Sequence, residues 1–173
     1  SYDPGAPVDE DVMREAFWEL SQQAADIGTR IALEPLPFSN FSTILHGVEF
    51  VRSVGHPAGG LVVDIWHVYR GGTPIEELRE YLAPDILFAV ELNDAQIAEP
   101  DNVWIDTINH RQLPGAGEWD VSGFINVIRD CGYTGAWGVE ILSKAFRRLP
   151  LDVALSRAYE ATMTTFDEAN DRR

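Results

Sequence analysis

Cysteine is almost missing. Cys131 is the single one in 173 residues, so no internal disulfide can form, and a reducing compartment fits. Positive charge is scarce too: 13 Lys and Arg face 28 Asp and Glu, a formal net charge of −15. A surface of that sign repels nucleic acid and anionic membranes, and neither is expected as a partner. The basic residues cluster only as Arg147-Arg148 and Arg172-Arg173, too few for a stripe that tracks phosphates. No apolar run reaches the ~18 residues of a membrane span, and no signal-peptide pattern opens the sequence; a cytoplasmic protein is the expectation. Linkers, low-complexity tracts and clear internal repeats are lacking as well. Hydrophobic residues make up 45%, which supports a packed core and excludes global disorder. The length suits one domain, taken as 1–173.

The apolar pattern alternates between helix and strand. "DEDVMREAFWELSQQAADIG" puts Met13, Ala16, Phe17, Leu20, Ala24 and Ile27 at helical spacing, with Asp9 as N-cap and Gly28 as stop. Short apolar runs predict strands at 30–34, 61–65, 86–92 and 136–142. Further helices are predicted at 42–55, 73–82, 120–132 and 151–170. The 73–82 helix is assigned Thr73 as N-cap, Pro74 at its first position and Glu76 as capping-box partner. Asp120 caps the 120–132 helix and Gly132 stops it. A long connection, 93–119, carries Pro100, Pro114, Gly115 and Gly117; connections of that length are usually functional or mobile. One helix followed by four β-α units predicts a parallel sheet with helical crossovers.

Each predicted strand ends in an acid. Glu34 closes "IALE", Asp64 closes "LVVD", Glu91 lies in "FAVELND" with Asp94 just beyond, and Glu140 lies in "WGVEIL". One strand-end acid is commonly a helix cap or a surface ion-pair partner. Four in series are different, because the carboxyl ends of parallel strands are where α/β folds bind ligands. Gathered there, four carboxylates repel one another unless a cation sits between them. Carboxylate oxygens, with or without a histidine, suit Mg²⁺, Mn²⁺ or a similar ion.

His67 follows Asp64 by three positions and is a candidate ligand or substrate hydrogen-bonder. His46 and His56 are read as structural, and His110 stands between site rim and surface. In "NHRQLPGAGEWD", Arg111 is a fixed positive charge, and Gly115 and Gly117 permit turns that present N–H groups to an anion. Together they read as a substrate clamp. Lys144, Arg147 and Arg148 follow the last strand as surface charges, with phosphate or carboxylate binding as the alternative. Trp66, between Asp64 and His67, either lines the pocket or packs in the core, and Tyr69 shares that ambiguity. Trp104, Trp119 and Trp137 carry no sharper assignment.

The motifs "LEPLP", "VVDIWHVYRGG", "ELNDA", "RQLPGAGEWD" and "CGYTGAWGVEIL" resemble, in order and spacing, the C-terminal half of xylose-isomerase-like TIM barrels, the sugar phosphate isomerase/epimerase superfamily. The resemblance runs from about Asp9 to the end. It implies a (β/α)8 TIM-barrel type of α/β fold. A complete barrel has eight strands in roughly 250 residues, and only the last four βα units are matched here. The chain is therefore expected to be a piece of a longer protein that lacks its N-terminal half-barrel. The alternative is a half-barrel that associates as a homo-oligomer.

The resemblance further implies a divalent metal, Mn²⁺ or Mg²⁺ before Co²⁺ or Zn²⁺, held by Glu34, Asp64, Glu91 and Glu140. Where the epimerases carry a histidine ligand this chain has Glu91, a harder and more anionic donor. His67, Arg111 and Trp66 are implied to face a small polyhydroxylated substrate. Glu34 and Glu140 would exchange a proton next to a carbonyl through an enediolate. His67 would stabilise the developing oxyanion, and Arg111 would orient a distal oxygen. The implied activity is a sugar or sugar phosphate isomerase or epimerase. The alternatives are a dehydratase of a cyclic polyol or keto acid, such as inosose or 3-dehydroshikimate, and a non-catalytic metal- or ligand-binding half-domain.

Overall fold

Four parallel strands run in sequence order across one sheet in the computed structural model, which describes residues 9–173. The first eight residues of the expected 1–173 domain lie outside the described residues. Helix α1 (Glu10–Asp26) leads into strand β1 (Ile31–Leu33), then α2 (Ile44–Val54) and β2 (Gly59–Asp64). Two short helices, α3 (Ile65–Arg70) and α4 (Leu78–Tyr81), precede β3 (Leu87–Leu92). After β3 come α5 (Val103–Asn109), α6 (Val121–Asp130), β4 (Trp137–Val139) and α7 (Leu151–Asp171). The parallel α/β architecture predicted from the alternation is present, with its strands in sequence order as a TIM-barrel type of fold requires.

Caps explain most boundaries. Asp9 accepts the N–H groups of Asp11 and Val12 at the start of α1. Thr43 caps α2 and Asp120 caps α6 through their side-chain oxygens. Gly28 and Gly132 follow α1 and α6 in the left-handed region, with φ of 73° and 83°, as their role as stops requires.

Three expectations are corrected. The 73–82 segment is not one helix: Pro74 has ψ 130°, a 3-10 turn covers Ile75–Glu77, and α4 begins only at Leu78. Thr73 does not cap it, and Glu76 pairs with Arg79. Packing decides this segment, because Leu78 is fully buried and Arg79 reaches Asp130 of α6 at 3.0 Å. Two helices were not anticipated. α3 is only six residues long, and four of them (Ile65, Trp66, His67, Val68) are buried, so it shows no amphipathic period. α5 lies inside the 93–119 connection, started by Asn102, whose side chain accepts the Ile105 N–H. That connection is tied down: Arg70, nearly buried, holds Asp106 of α5 at 3.1 Å and the Gln96 carbonyl at 2.9 Å.

The two faces of the sheet differ. Leu61, Val63 and Val90 are fully buried, in one core with Ile44, Val48 and Val51 of α2 and Phe124, Ile125 and Ile128 of α6. Side chains alternate along a strand, so Ala32, Val62, Ala89 and Gly138 share the other face with Glu34, Asp64, Glu91 and Glu140. Ala32 is exposed and Val62, Ala89 and Gly138 are only part-buried. The register pairs Asp64 with Glu91 and Glu91 with Gly138. The acids therefore stand at the carboxyl ends of the strands, on the face the helices leave open. Among the described residues no helix is long and apolar enough to cross a membrane.

Candidate active site

Asp64 ends β2 and also caps α3. Its Oδ1 accepts the Trp66 N–H at 2.7 Å and the Asn93 side-chain amide at 2.9 Å, while Oδ2 accepts from Arg111 Nη1 at 2.6 Å. Both oxygens are thus fixed, and the side chain is fully buried. Glu34, one residue beyond β1, lies 3.2 Å from His67 Nε2. Glu140, just past β4, lies 2.7 Å from the same Arg111 Nη1. Glu91 projects from β3 into the space between them. One oxygen from each of Glu34, Asp64, Glu91 and Glu140 lies within 4.8 Å of the others. The four strand-end acids converge, as the sequence led us to expect. Glu34, Asp64 and His67 likewise bring one ligand atom each within 4.8 Å of one another.

The electrostatics of the cluster are unbalanced. Four carboxylates face one guanidinium, which leaves a charge of −3 when all are ionised (−4 + 1). Glu91 carries most of the consequence. Burial, then the charges of Asp64, Glu140 and Glu34, push its pKa from 4.5 up to about 7, and Arg111 only partly opposes them. Burial also raises Glu140, with Arg111 pulling the other way. A set of carboxylate oxygens that close, with repulsion left over, is the chemistry of a hard divalent cation site. The residues present therefore fit the implied metal. Gly138 leaves the room for Glu91: a Cβ there would lie 3.2 Å from Glu91 Cγ.

Arg111 does reach the site, but from within. It is 2% exposed. Nε and Nη2 both donate to Thr107 Oγ1, at 3.1 and 2.8 Å, and the guanidinium carbon lies 5.1 Å above the Trp66 ring. Its partners are the acids themselves rather than an open cleft. Trp66 requires a correction: it is fully buried in the core and backs Arg111, so it does not line the pocket. His67 is buried as well, with Phe38 edge-on at 6.3 Å between ring centres. Phe38 in turn meets the exposed indole of Trp104 at 5.3 Å, so an aromatic rim runs outward from the acids.

The glycine-rich turn holds a different anion from the one expected. Gly117 and Trp119 donate their N–H groups to Asp94 at 2.9 and 3.1 Å, and Ala95 adds a third at 2.8 Å. A Cβ at position 117 would lie 2.3 Å from Asp94 Oδ1, so glycine is required there. The turn is closed on the protein's own carboxylate and does not present itself to a substrate. Tyr69 stacks on Trp119 at 4.6 Å and its hydroxyl accepts the Asp120 N–H, a packing role. His46, His56 and His110 stand apart from the acids: His46 reaches Glu10, His56 bonds Ala58 N–H and Gln22, and His110 is an exposed partner of Asp106. Arg147 ties down the end of α5 through the Ile108 carbonyl.

Asn93, Thr107 and Phe38 were missed from the sequence. Asn93 had a signal, since it directly precedes Asp94 and lies two positions after Glu91. Thr107 had none, because it acts through α5, which the sequence did not reveal.

Comparison with known proteins identifies the family. A profile of the family described as xylose isomerase-like TIM barrel matches residues 1–162. The chain belongs to that family. Inosose isomerase of Halalkalibacterium halodurans is 27% identical over 155 residues, which cover 84% of this chain and 51% of that protein. 3-Dehydroshikimate dehydratase of Pseudomonas putida is 31% identical over 144 residues, 82% of this chain and 22% of that protein. The solved structure of IOLI protein with a binding zinc atom superposes with a TM-score of 0.82 at 23% identity, covering 95% of this chain and 60% of that one. The chain thus spans about half the length of the inosose isomerase it matches. Relatives within the family include both isomerases and dehydratases.

Proposed function

We propose that this chain carries the metal-binding and proton-transfer residues of a divalent-metal-dependent isomerase or epimerase. Its substrate would be a sugar, a sugar phosphate or a related polyhydroxylated ketone. The observation that carries the reading is the convergence of four carboxylate oxygens within 4.8 Å at the carboxyl ends of four parallel strands. Glu34, Asp64, Glu91 and Glu140 would hold Mn²⁺ or Mg²⁺, with Co²⁺ or Zn²⁺ as alternatives. When bound, such an ion polarises a substrate carbonyl as a Lewis acid.

The residues supply the rest. Glu140 and Glu34 reach the cluster from opposite edges of the sheet, so one can remove the proton next to the carbonyl while the other returns it to the neighbouring carbon or opposite face. His67, 3.2 Å from Glu34, can hold the proton that Glu34 gains or stabilise negative charge on the adjacent substrate oxygen. Arg111 holds Glu140 in place at 2.7 Å. Residues 1–173 act as one unit in this reading. The open acid-bearing face, with Ala32 exposed, and the sheet edges at β1 and β4, unpaired among the described residues, support a second half covering the site, either an N-terminal half-barrel or another copy.

A dehydratase is the second reading. It draws on the 31% identity to 3-dehydroshikimate dehydratase and on the aromatic rim in which Phe38 and Trp104 meet edge to face, an apolar surface that a ring-shaped substrate can pack against. There the same proton abstraction ends in loss of a β-hydroxyl. Product mass separates the two: an isomer conserves it, and a dehydration product is lighter by one water. The test of the shared chemistry is Glu140→Gln in the metal-loaded protein supplied with its covering half. Turnover is expected to vanish with the far-ultraviolet circular dichroism unchanged. Near-normal turnover would remove Glu140 from proton transfer.

A further inference from the structure

Asp64 has one oxygen left for a cation, and Arg111 is already on it. Oδ1 is taken by the Trp66 N–H and the Asn93 amide, so Oδ2 is the atom that remains, and Arg111 Nη1 lies 2.6 Å from it. The same nitrogen lies 2.7 Å from Glu140 Oε2. It therefore bridges two of the four acids that the metal reading requires. We infer that Arg111 is a built-in counter-cation that competes with the divalent ion for Asp64 and Glu140, and so sets the metal affinity of the site. The inference rests on the metal reading given above.

Three observations favour this over a substrate-facing arginine. The guanidinium is buried at 2% exposure. Its other donors are anchored, with both Nε and Nη2 on Thr107 Oγ1, so it is built to stay among the acids. Trp66, fully buried, supports its flat face at 5.1 Å. Thr107 is the positioning residue: it touches neither acid, yet it fixes the direction in which Nη1 points. The cluster is then an exchange site. Without metal, the guanidinium neutralises part of the carboxylate repulsion and keeps the strand ends together. When a divalent cation enters, two like charges share Asp64 and Glu140, and metal binding is weakened by the amount needed to displace or tolerate the arginine.

The test is Mn²⁺ binding measured by calorimetry at pH 8 on the wild-type chain, Arg111→Met, Arg111→Lys and Thr107→Val, with circular dichroism on each. Removing the charge in Arg111→Met is expected to tighten Mn²⁺ binding at least tenfold. Arg111→Lys keeps the charge and is expected to stay near wild type. Thr107→Val keeps the arginine and loses its anchor, and a severalfold gain is expected; it carries the test if Arg111→Met fails to fold. Unchanged or weaker binding in a folded Arg111→Met, or unchanged binding in Thr107→Val when that variant alone is folded, would overturn the inference while leaving the metal reading standing. No Mn²⁺ binding in wild type or any folded variant would overturn the metal reading itself, and the inference with it. Binding in Arg111→Met without binding in wild type would support the inference in its strongest form.

Discussion

Replacing Glu91 with glutamine should stabilise the metal-free protein above neutral pH and do nothing below about pH 4. Glu91 titrates at about 7 in the folded chain against 4.5 for an unperturbed carboxyl. Between those values the folded state binds the proton that the unfolded state has released, so stability is lost as pH rises through this window. The gap corresponds to about 3 kcal/mol at full strength. Glu91 is only part-buried, and solvent screening reduces the expected effect to about 1–2 kcal/mol. Glu91→Gln keeps the shape and removes the charge. Urea denaturation of the chelator-treated wild type and variant, from about pH 3.5 to pH 8.5, gives the difference directly. The two curves should coincide at about pH 3.5 and separate by about 1–2 kcal/mol at pH 8, with the variant the more stable. The same proton must leave when a metal binds, so below pH 7 metal uptake should acidify a weakly buffered solution. A variant less stable than wild type at pH 8, or curves that run parallel, would refute the claim that burial and carboxylate repulsion together hold the Glu91 charge at a cost.

Other outcomes follow from the same geometry. Asp94→Asn removes acceptor capacity from a carboxylate that takes the N–H groups of Ala95, Gly117 and Trp119. It should cost about 1–3 kcal/mol and make the 113–119 turn a site of limited proteolysis; a resistant turn would argue against the clasp. Gly138→Ala places a Cβ 3.2 Å from Glu91 Cγ. It should weaken metal binding more than it lowers the thermal midpoint, as calorimetry and a melting curve together would show.

The order of elements was legible because the long, strongly periodic segments are real: α1, α6 and α7 lie where the apolar spacing put them. The four acids were legible because each ends an apolar strand, and parallel strands deliver their carboxyl ends to one place. The segments that escaped are those where tertiary contacts outweigh local pattern. α3 is buried over four consecutive residues, so its sequence looks like a continued apolar run. The 73–82 segment carries sound capping residues, yet Pro74 takes an extended ψ and Leu78 is drawn into the core. The orientations of Arg111 and Trp66 could not be read either. "HRQLP" shows a cation near a site, but which way it points depends on Thr107, one helical turn earlier on α5. The glycine turn was recognised as an anion cradle; that its anion is Asp94 follows only from the register that brings "ELND" beside "PGAGEW".

The most direct test of the central claim is metal content. The chain is dialysed after purification and its metals counted by elemental mass spectrometry, with Glu91→Ala and Glu140→Ala beside it. One shared site predicts about one equivalent of divalent metal in the parent after loading with Mn²⁺, and its loss in both variants. Equal metal in all three proteins, or none after loading in either the parent or a folded Arg111→Met, would contradict a site built from the four strand-end acids.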